Sequence, residues 1–303
     1  MFYLDLFKAL VYTAVFSLAI TPLDFALSSA IGAIDIPTDG RRMHSKPIPR
    51  LGGISIFVAF VSFGLLFCRE INSRLICVLA GAVIIVVLGI ADDCITLSAK
   101  TKLIFQSAAA ILSVSLLNAD IGFDWLFVVF GVIWLLTLTN AHNFIDGLDG
   151  LCVGVSLIES IALGIIFSVS GQPLWALFSF VVGGACIGFL PYNDKNARIF
   201  MGDTGAAFLG FVLGFSALNL FALDFTFIAF FSICFIFAVP LLDISFAVAR
   251  RISQGKSPFA SDRMHTHHLL ADTILGHRKA SVAIRIASFV FSIVGIAVYV
   301  IFA

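Results

Sequence analysis

The sequence predicts an all-α polytopic membrane protein of about ten transmembrane helices, and three observations lead to this fold class. Of the 303 residues, 60% are hydrophobic and only 12% are charged, about half the charged fraction of a soluble domain. The mean hydropathy is +1.10. Apolar segments long enough to cross a bilayer follow one another along most of the chain. These features argue against a water-soluble enzyme, a secreted disulfide scaffold, a disordered chain and a nucleic-acid binder.

Each predicted span is a run of about 20 mostly apolar residues. The uncharged stretch 160–193 is too long for one span, and Gly171-Gln172-Pro173 divides it because proline ends helices and glycine favours turns. The first run lacks a basic leader and a clear cleavage site, so a signal peptide is not expected. We predict one membrane domain over 1–303, with spans at 6–31, 51–68, 75–91, 103–119, 123–141, 151–170, 173–190, 204–222, 225–249 and 281–302.

The distribution of lysine and arginine predicts the orientation. Four loops, at 32–50, 92–102, 191–203 and 250–280, hold 14 of the 18 basic side chains. The positive-inside rule puts these loops, and the 142–150 loop between them, in the cytoplasm. We therefore expect both termini to be extracytoplasmic and the functional site to face the cytoplasm.

Three acidic residues, Asp24, Glu159 and Asp243, fall inside predicted spans. Intramembrane acids are costly, so each suggests a function or a polar partner. Asp243 lies near the cytoplasmic end of its span and is a candidate support for the site. Asp24 and Glu159 are expected to pair inside the bundle. The six cysteines have no metal or redox spacing.

The first polar motif is the pair Asp92-Asp93, directly after an apolar run. Adjacent carboxylates repel each other unless a cation neutralises them or one stays protonated. Lys100 and Lys102 follow closely and could neutralise the pair or hold a phosphate. A plain helix cap is the alternative interpretation.

The second motif is the segment 140–151, which reads NAHNFIDGLDGL. Asn143, Asp146 and Asp149 offer the hard oxygen ligands that magnesium prefers, or hydrogen bonds to a sugar or base. Glycines such as Gly147 let the backbone approach a ligand closely. A purely structural turn needs one or two such residues, so this density favours a binding site.

The third motif lies in the segment 192–205 and ends in Gly-Asp-Thr-Gly before an uncharged span. This spacing puts Asp203 and Thr204 at a helix N-terminus, where the dipole favours anions and threonine is a good N-cap. Capping does not explain the neighbouring Asn193 and Phe200.

The fourth motif, within 257–268, contains Arg263 and the run His265-Thr-His267-His268. Three histidines in four residues suggest zinc, which takes nitrogen and sulfur ligands. The basic loop suggests phosphate binding equally well, and a solvated loop is the third interpretation.

The fifth motif, 39–53, is basic, stiffened by proline and ends in Gly52-Gly53. Its cations, Lys46 among them, either contact anionic lipid and orient the protein or reach a ligand.

Carboxylates suited to magnesium and cations suited to phosphates thus share one face of an apolar bundle. That combination favours phosphoryl transfer, in which a protein mainly positions reactants and neutralises charge. A transporter would gather polar groups near the bilayer midplane, and a structural scaffold would need no such motifs, so both are weaker interpretations.

In this order, the motifs resemble those of the polyprenyl-phosphate N-acetylhexosamine-1-phosphate transferase family. The resemblance implies transfer of a sugar 1-phosphate from a UDP-sugar to a membrane polyprenyl phosphate such as undecaprenyl phosphate, with release of UMP. It also implies a multi-pass protein of the bacterial inner (plasma) membrane, in contact with lipid, with Mg²⁺ or alternatively Mn²⁺ as cofactor. A homodimer is a possible assembly, and no nucleic-acid partner is expected.

The resemblance further implies residue roles. Asp203 would be the main magnesium ligand, assisted by Asp146, and Asp92 would deprotonate or orient the lipid phosphate. The expected catalytic residues are Asp92, Asp93, Asp146, His267 and His268. The expected substrate-binding residues are Lys46, Lys100, Lys102, Asn143, Gly147, Leu148, Asp149, Asn193, Phe200, Arg263 and His265.

Within this set, Gly147, Leu148 and Asp149 would line a uridine pocket, and Phe200 would stack on the uracil. The histidines would contact the diphosphate or sugar, which weakens the zinc interpretation. The mechanism expected is a single in-line displacement at the β-phosphorus, with a two-step route through an aspartyl-phosphate as the rival.

The form of two motifs, His265-Thr-His267-His268 and Pro47-Ile-Pro-Arg-Leu-Gly-Gly53, resembles the branch that starts O-antigen, enterobacterial common antigen or teichoic-acid chains. That branch commonly uses UDP-N-acetylglucosamine. UDP-N-acetylgalactosamine or a deoxy N-acetylsugar is an alternative donor, and the phospho-N-acetylmuramoyl-pentapeptide transferase reaction is the alternative function.

Overall fold

The computed structural model describes residues 2–37, 46–67, 73–122, 124–223, 226–255 and 276–302, and the statements below concern these residues. Arg263, His265, His267 and His268 lie outside the described residues. The elements in chain order are α1 (Phe2–Ile31), β1 (Ile34–Asp35), β2 (Ile48–Pro49), α2 (Gly53–Phe67), α3 (Ser73–Ile95), α4 (Ala99–Ile121), α5 (Trp125–Ile145), α6 (Leu151–Val169), α7 (Pro173–Asn193), α8 (Gly202–Leu223), α9 (Phe227–Ile236), α10 (Ala238–Ser253) and α11 (His277–Phe302).

The chain is a polytopic helical membrane protein, as the sequence predicts, and the number of about ten spans stays a prediction. Eight of the described helices are long and apolar enough to cross a membrane, or nine spans if α9 and α10 count as one. Helix α2, predicted as the span 51–68, has 15 residues. It is therefore about 22 Å long, shorter than a hydrocarbon core of about 30 Å.

The span predicted at 225–249 is also not a single straight helix. Helices α9 and α10 meet at Phe237 with a bend of 82°. Pro240 lies in the first turn of α10, where its missing N–H costs no intrahelical hydrogen bond. The proline is thus compatible with a new helix start after Phe237.

Helix α8 is the centre of the bundle, because 94% of its apolar 18-residue stretch is buried. In α1 and α11, at the periphery, 22% of the corresponding stretch is buried. Helix α8 packs against α2, α3, α5 and α6. Glycines bring two of these helices close to its N-terminus. A Cβ on Gly53 of α2 would collide with the backbone of Gly205, and one on Gly89 of α3 with the backbone of Thr204. Small residues permit such close approach between helices in membranes.

The cleft that is described below opens at one end of this bundle. It is lined by residues from the C-terminal part of α1, the ends of α5 and α7, and the first turns of α8 and α11. The free ends of α1 and α11, at Phe2 and Phe302, therefore lie away from the cleft.

A small β-structure forms the rim of the cleft. Strands β1 and β2 pair antiparallel, with Ile34 opposite Pro49. Phe200 extends this pairing, because its N–H donates to Pro49 O at 2.8 Å and its carbonyl accepts from Gly52 N at 3.0 Å. These bonds place Arg50 and Phe200 beside the N-terminus of α8.

Two intramembrane acids have internal partners, as expected. Asp24 accepts a hydrogen bond from Ser55 N at 3.1 Å. Glu159 lies 2.7 Å from His142 Nε2, and both side chains are fully buried. Asp243 is buried, and its supporting role stays a prediction.

Candidate active site

A cleft with a volume of about 1260 Å³ opens in the described part of the chain. Polar residues from the second, third and fifth motifs converge on it. The predicted site residues that line it are Lys46, Asn143, Asp146, Gly147, Leu148, Asp149, Asn193, Phe200 and Asp203. The cleft also contains cations that had not been assigned to the site: Arg50, Lys195, Arg198, Arg278 and Arg285.

A carboxylate centre, made of Asp92, Asp203 and Lys102, lies beside the cleft. Lys102 Nζ is 2.7 Å from Asp203 Oδ2 and 3.1 Å from Asp92 Oδ2, and the two carboxyl groups are within hydrogen-bonding reach of each other. The lysine extends from the first turns of α4, which begins at the side-chain cap Ser98. One cation therefore holds two acids from α3 and α8 together.

The neighbouring Asp93 has a different environment. Its carboxylate accepts hydrogen bonds from Asp203 N at 3.1 Å, from Thr204 N at 3.0 Å and from the Thr204 hydroxyl at 2.7 Å. Arg50 Nη2 lies 3.4 Å away. Asp93 thus satisfies the first N–H groups of α8 from another helix, where the dipole favours a negative charge.

This arrangement corrects the expectation that Thr204 is the N-cap. Helix α8 begins at Gly202, so Thr204 lies inside the first turn, fully buried, and its hydroxyl is a donor. Gly202 has a φ of +68°, and a Cβ there would collide with Arg50 O and the Asp93 carboxylate. Glycine is therefore required for the close contact between this turn and Asp93.

Asn143 and Asp146, at the end of α5, join the same centre from the other side. The Asn143 side chain lies close to the Asp203 carboxylate. Loss of solvent raises the pKa of Asp146 from 3.8 to about 7, and the negative charges of Asp203 and Asp93 add to this rise, while Arg50 opposes it. A carboxyl group with this pKa binds a proton readily unless a cation is nearby.

The opposite wall of the cleft is built by hydrogen bonds between loops. Asp149 Oδ2 accepts from Ala197 N at 2.9 Å. Asn193 accepts from Gly150 N at 3.1 Å and donates to Ile199 O at 3.0 Å. These contacts tie the α5–α6 loop to the α7–α8 loop, and polar residues of both loops line the cleft.

The positions of two cations, Lys100 and Arg285, differ from what the sequence suggests. Lys100 is exposed on the first turn of α4 and does not line the cleft, so its substrate-binding role stays a prediction. Arg285, which the sequence places inside the last span, lines the cleft and pairs with Asp194 at 3.1 Å. A lone arginine in an apolar span was the signal that could have identified it.

The cleft and the carboxylate centre offer hard oxygen donors, the kind of ligand that magnesium takes. Within the described ranges, no group of three or more histidine, cysteine, aspartate or glutamate side chains could hold a metal ion. Mg²⁺ commonly needs only one or two protein carboxylates, with water and substrate phosphate oxygens completing the octahedron. Asp203, Asp146 and the Asn143 amide, which line the same cleft, could supply such a partial set of hard oxygen ligands.

Comparisons with known proteins show the family of the chain. The profile described as Glycosyl transferase family 4 matches residues 75–221, which include the first three motifs. A Bacillus subtilis (strain 168) protein named probable undecaprenyl-phosphate N-acetylglucosaminyl 1-phosphate transferase is 38% identical over 290 residues, covering 91% of this chain and 80% of that protein.

Two further relatives come from distant bacteria. A Mycobacterium tuberculosis (strain CDC 1551 / Oshkosh) decaprenyl-phosphate N-acetylglucosaminephosphotransferase is 32% identical over 301 residues, 84% of this chain and 72% of that protein. A Thermotoga maritima undecaprenyl-phosphate alpha-N-acetylglucosaminyl 1-phosphate transferase is 30% identical over 295 residues, 94% of this chain and 88% of that protein. The chain therefore belongs to glycosyl transferase family 4, among its polyprenyl-phosphate N-acetylhexosamine-1-phosphate transferases.

Proposed function

We propose that this protein transfers N-acetylglucosamine 1-phosphate from UDP-N-acetylglucosamine to undecaprenyl phosphate and releases UMP. The observation that carries the proposal is the carboxylate centre with its two cations, Lys102 and Arg50, at one end of an apolar bundle. The names of the relatives point to the same acceptor and sugar. The reaction would be the first membrane step of a cell-envelope glycan, at the cytoplasmic face of a bacterial plasma membrane.

The cleft is lined by carboxylates, amides and cations, and the bundle around it is apolar. Asp203, with Asn143 and Asp146, would hold Mg²⁺, or Mn²⁺, beside the donor diphosphate. The ion, when bound, supplies charge neutralisation at the phosphates. Phe200 and Asn193, which line the cleft, would contact the nucleoside, and Lys46 would contact a phosphate.

In the proposed step, an oxygen of the lipid phosphate attacks the β-phosphorus of the donor. The new P–O bond forms as the bond from the β-phosphorus to the bridging oxygen breaks, and UMP leaves with that oxygen. Asp92 is the residue that orients the attacking phosphate or takes its proton, because its carboxylate adjoins Lys102 and Asp203. Lys102 offsets the negative charge that gathers there.

Asp93 was expected to be catalytic together with Asp92. Its three hydrogen bonds from the start of α8 support a positioning role instead, in which it holds Asp203 at the site. His265, His267, His268 and Arg263 remain predicted contacts of the diphosphate or sugar.

A UMP-release assay tests the function. Purified protein in detergent, with Mg²⁺ and undecaprenyl phosphate, is offered UDP-N-acetylglucosamine, UDP-N-acetylgalactosamine and UDP-N-acetylmuramoyl-pentapeptide. We expect UMP and a lipid-linked product with the first donor, and neither with Asp203→Asn. Absence of UMP with every donor would contradict the proposal, and a preference for another donor would correct its substrate.

The same assay without acceptor separates the two mechanisms. Donor labelled at the β-phosphorus should leave no label on the protein in a single-step transfer. An acid-labile, hydroxylamine-sensitive label on an aspartate would establish the two-step route.

A further inference from the structure

Arg285 reaches the cleft from α11, a helix that no motif connected with the site. Its side chain crosses α6 at Gly154, where a Cβ would collide with Arg285 Cδ and lie 3.3 Å from Nη1. Arg285 Nη2 also donates a hydrogen bond to Asp194 Oδ1 at 3.1 Å. The side chain is only 18% exposed, yet it lines the cleft.

A second contact fixes the same helix to the site. Ser281, one turn before Arg285, is buried and donates to the carbonyl of Asp149 at 2.9 Å. Ser281 therefore holds the α5–α6 loop, and Arg285 holds the end of α7. An extended arginine with fixed neighbours loses little conformational freedom when a ligand binds, which makes it a preorganised donor group.

We propose that Arg285 binds the nucleotide half of the donor and sets the affinity of the protein for it. A guanidinium carries five N–H donors in one plane, and the contact with Asp194 uses Nη2. The acceptors it would take are the oxygens of the nucleotide: uracil carbonyls, ribose hydroxyls or the α-phosphate. This inference rests on the proposed function, because it assumes a UDP-sugar donor.

The position of Arg285 favours the donor over the lipid acceptor. The carboxylate centre is built by α3, α4 and α8, whereas Arg285 comes from α11 and is bonded to Asp194 at the end of α7, and both Asp203 and Arg285 line the same cleft. A ligand that contacts both Asp203 and Arg285 must carry more than one polar group. A nucleotide-sugar does so, and a prenyl phosphate is apolar beyond its single phosphate.

The first test compares Arg285→Ala with Lys279→Ala. Lys279 lies on the same end of α11 but does not line the cleft, so it is a charge-matched control. Calorimetry measures UMP binding, and steady-state assays measure kcat and both KM values. For Arg285→Ala we expect UMP affinity to fall, and the donor KM to rise, by about tenfold or more. The acceptor KM and kcat should change less than about twofold, and Lys279→Ala should match the wild type.

Gly154→Ala provides a second test that keeps every charge. The added Cβ must displace the Arg285 side chain, while alanine favours the helical backbone of α6. We expect the same direction of change in UMP affinity as for Arg285→Ala. In the Arg285→Ala background, Gly154→Ala should add no further loss, because the colliding side chain is gone.

Equal UMP affinities for wild type and Arg285→Ala would overturn the inference. The inference would also be overturned if Arg285→Ala lowered kcat and the melting temperature without changing UMP affinity, since that pattern indicates a purely structural role. Failure of the proposed function would give a different result. The wild type would bind UMP and Arg285→Ala would still weaken UMP binding, but no UDP-sugar would yield a lipid product.

Discussion

At the scale of single residues, Asp92 and Asp93 are chemically identical neighbours with different surroundings. Successive residues of a helix point about 100° apart, so one carboxylate meets Lys102 and the other meets the start of α8. The sequence shows that the pair is unusual. Which carboxylate contacts Lys102 and which contacts the start of α8 depends on how α3 packs against α8. Local sequence carries no information about that packing.

We therefore expect substitutions of the two acids to differ in their effect on stability. Asp93→Asn replaces an acceptor of three hydrogen bonds and leaves Arg50 without its carboxylate. We expect activity to be lost and the free energy of unfolding to fall by about 1–2 kcal/mol, as for the loss of a helix cap. Thermal unfolding in detergent, followed by tryptophan fluorescence, measures the change.

Asp92→Asn is the matched control. Its amide oxygen can still accept from Leu97 N, and the substitution removes a negative charge beside Asp203. We expect activity to fall by about 10²-fold or more with no loss of melting temperature. Equal melting temperatures for the two variants would refute the capping role of Asp93.

The raised pKa of Asp146 predicts a pH dependence of metal binding. Below its pKa of about 7 the carboxyl group is protonated and neutral, and a proton must leave before the oxygen can ligate Mg²⁺. The apparent Mg²⁺ affinity should therefore rise as the pH increases from 6 to 8. Titration of Mg²⁺ against UDP binding at several pH values measures this, and Asp146→Asn should flatten the profile. An affinity that falls with rising pH would contradict the assignment.

At the scale of elements, the site depends on helices that approach each other almost backbone to backbone. Gly53 and Gly89 bring α2 and α3 against the first turn of α8, and that contact sets the position of Asp203. The sequence places glycines in apolar runs, where they could equally be lipid-facing. Only packing distinguishes the glycines that are required from those that are not.

Two glycines of the same short helix test this difference. Gly53→Ala should collide with Gly205, whereas Gly64→Ala has no atom within 4 Å of the new Cβ. We expect Gly53→Ala to destabilise by about 1–3 kcal/mol and to reduce activity, and Gly64→Ala to be neutral or slightly stabilising because alanine favours helix. Melting temperatures of the two variants measure the difference. An unchanged melting temperature for Gly53→Ala would mean that α2 can move away from α8 at little cost in free energy.

At the scale of the whole molecule, helices that alternate in direction bring loops from distant parts of the chain to one end of the bundle. The free ends of α1 and α11 lie away from the cleft. Together with the positive-inside rule, this supports the prediction that both termini are extracytoplasmic. The assembly as a homodimer stays a prediction.

Cysteine labelling tests the orientation. Single cysteines introduced at Tyr3 and at Lys195, in a cysteine-free background, are exposed to a membrane-impermeant maleimide in intact spheroplasts. We expect labelling near the N-terminus, and labelling at position 195 only after the membrane is permeabilised. The reverse pattern would place the cleft outside the cell.

The sequence by itself determined the fold class, the ordered motifs and nine of the residues that line the cleft, because apolar run length and local clusters of polar residues are local properties. Tertiary structure alone decided that the chain bends by 82° between α9 and α10, that Asp93 rather than Thr204 serves the start of α8, and that Arg285 belongs to the cleft. Each of these depends on contacts between segments far apart in the chain. Such contacts arise from close packing of helix against helix, which no local pattern encodes.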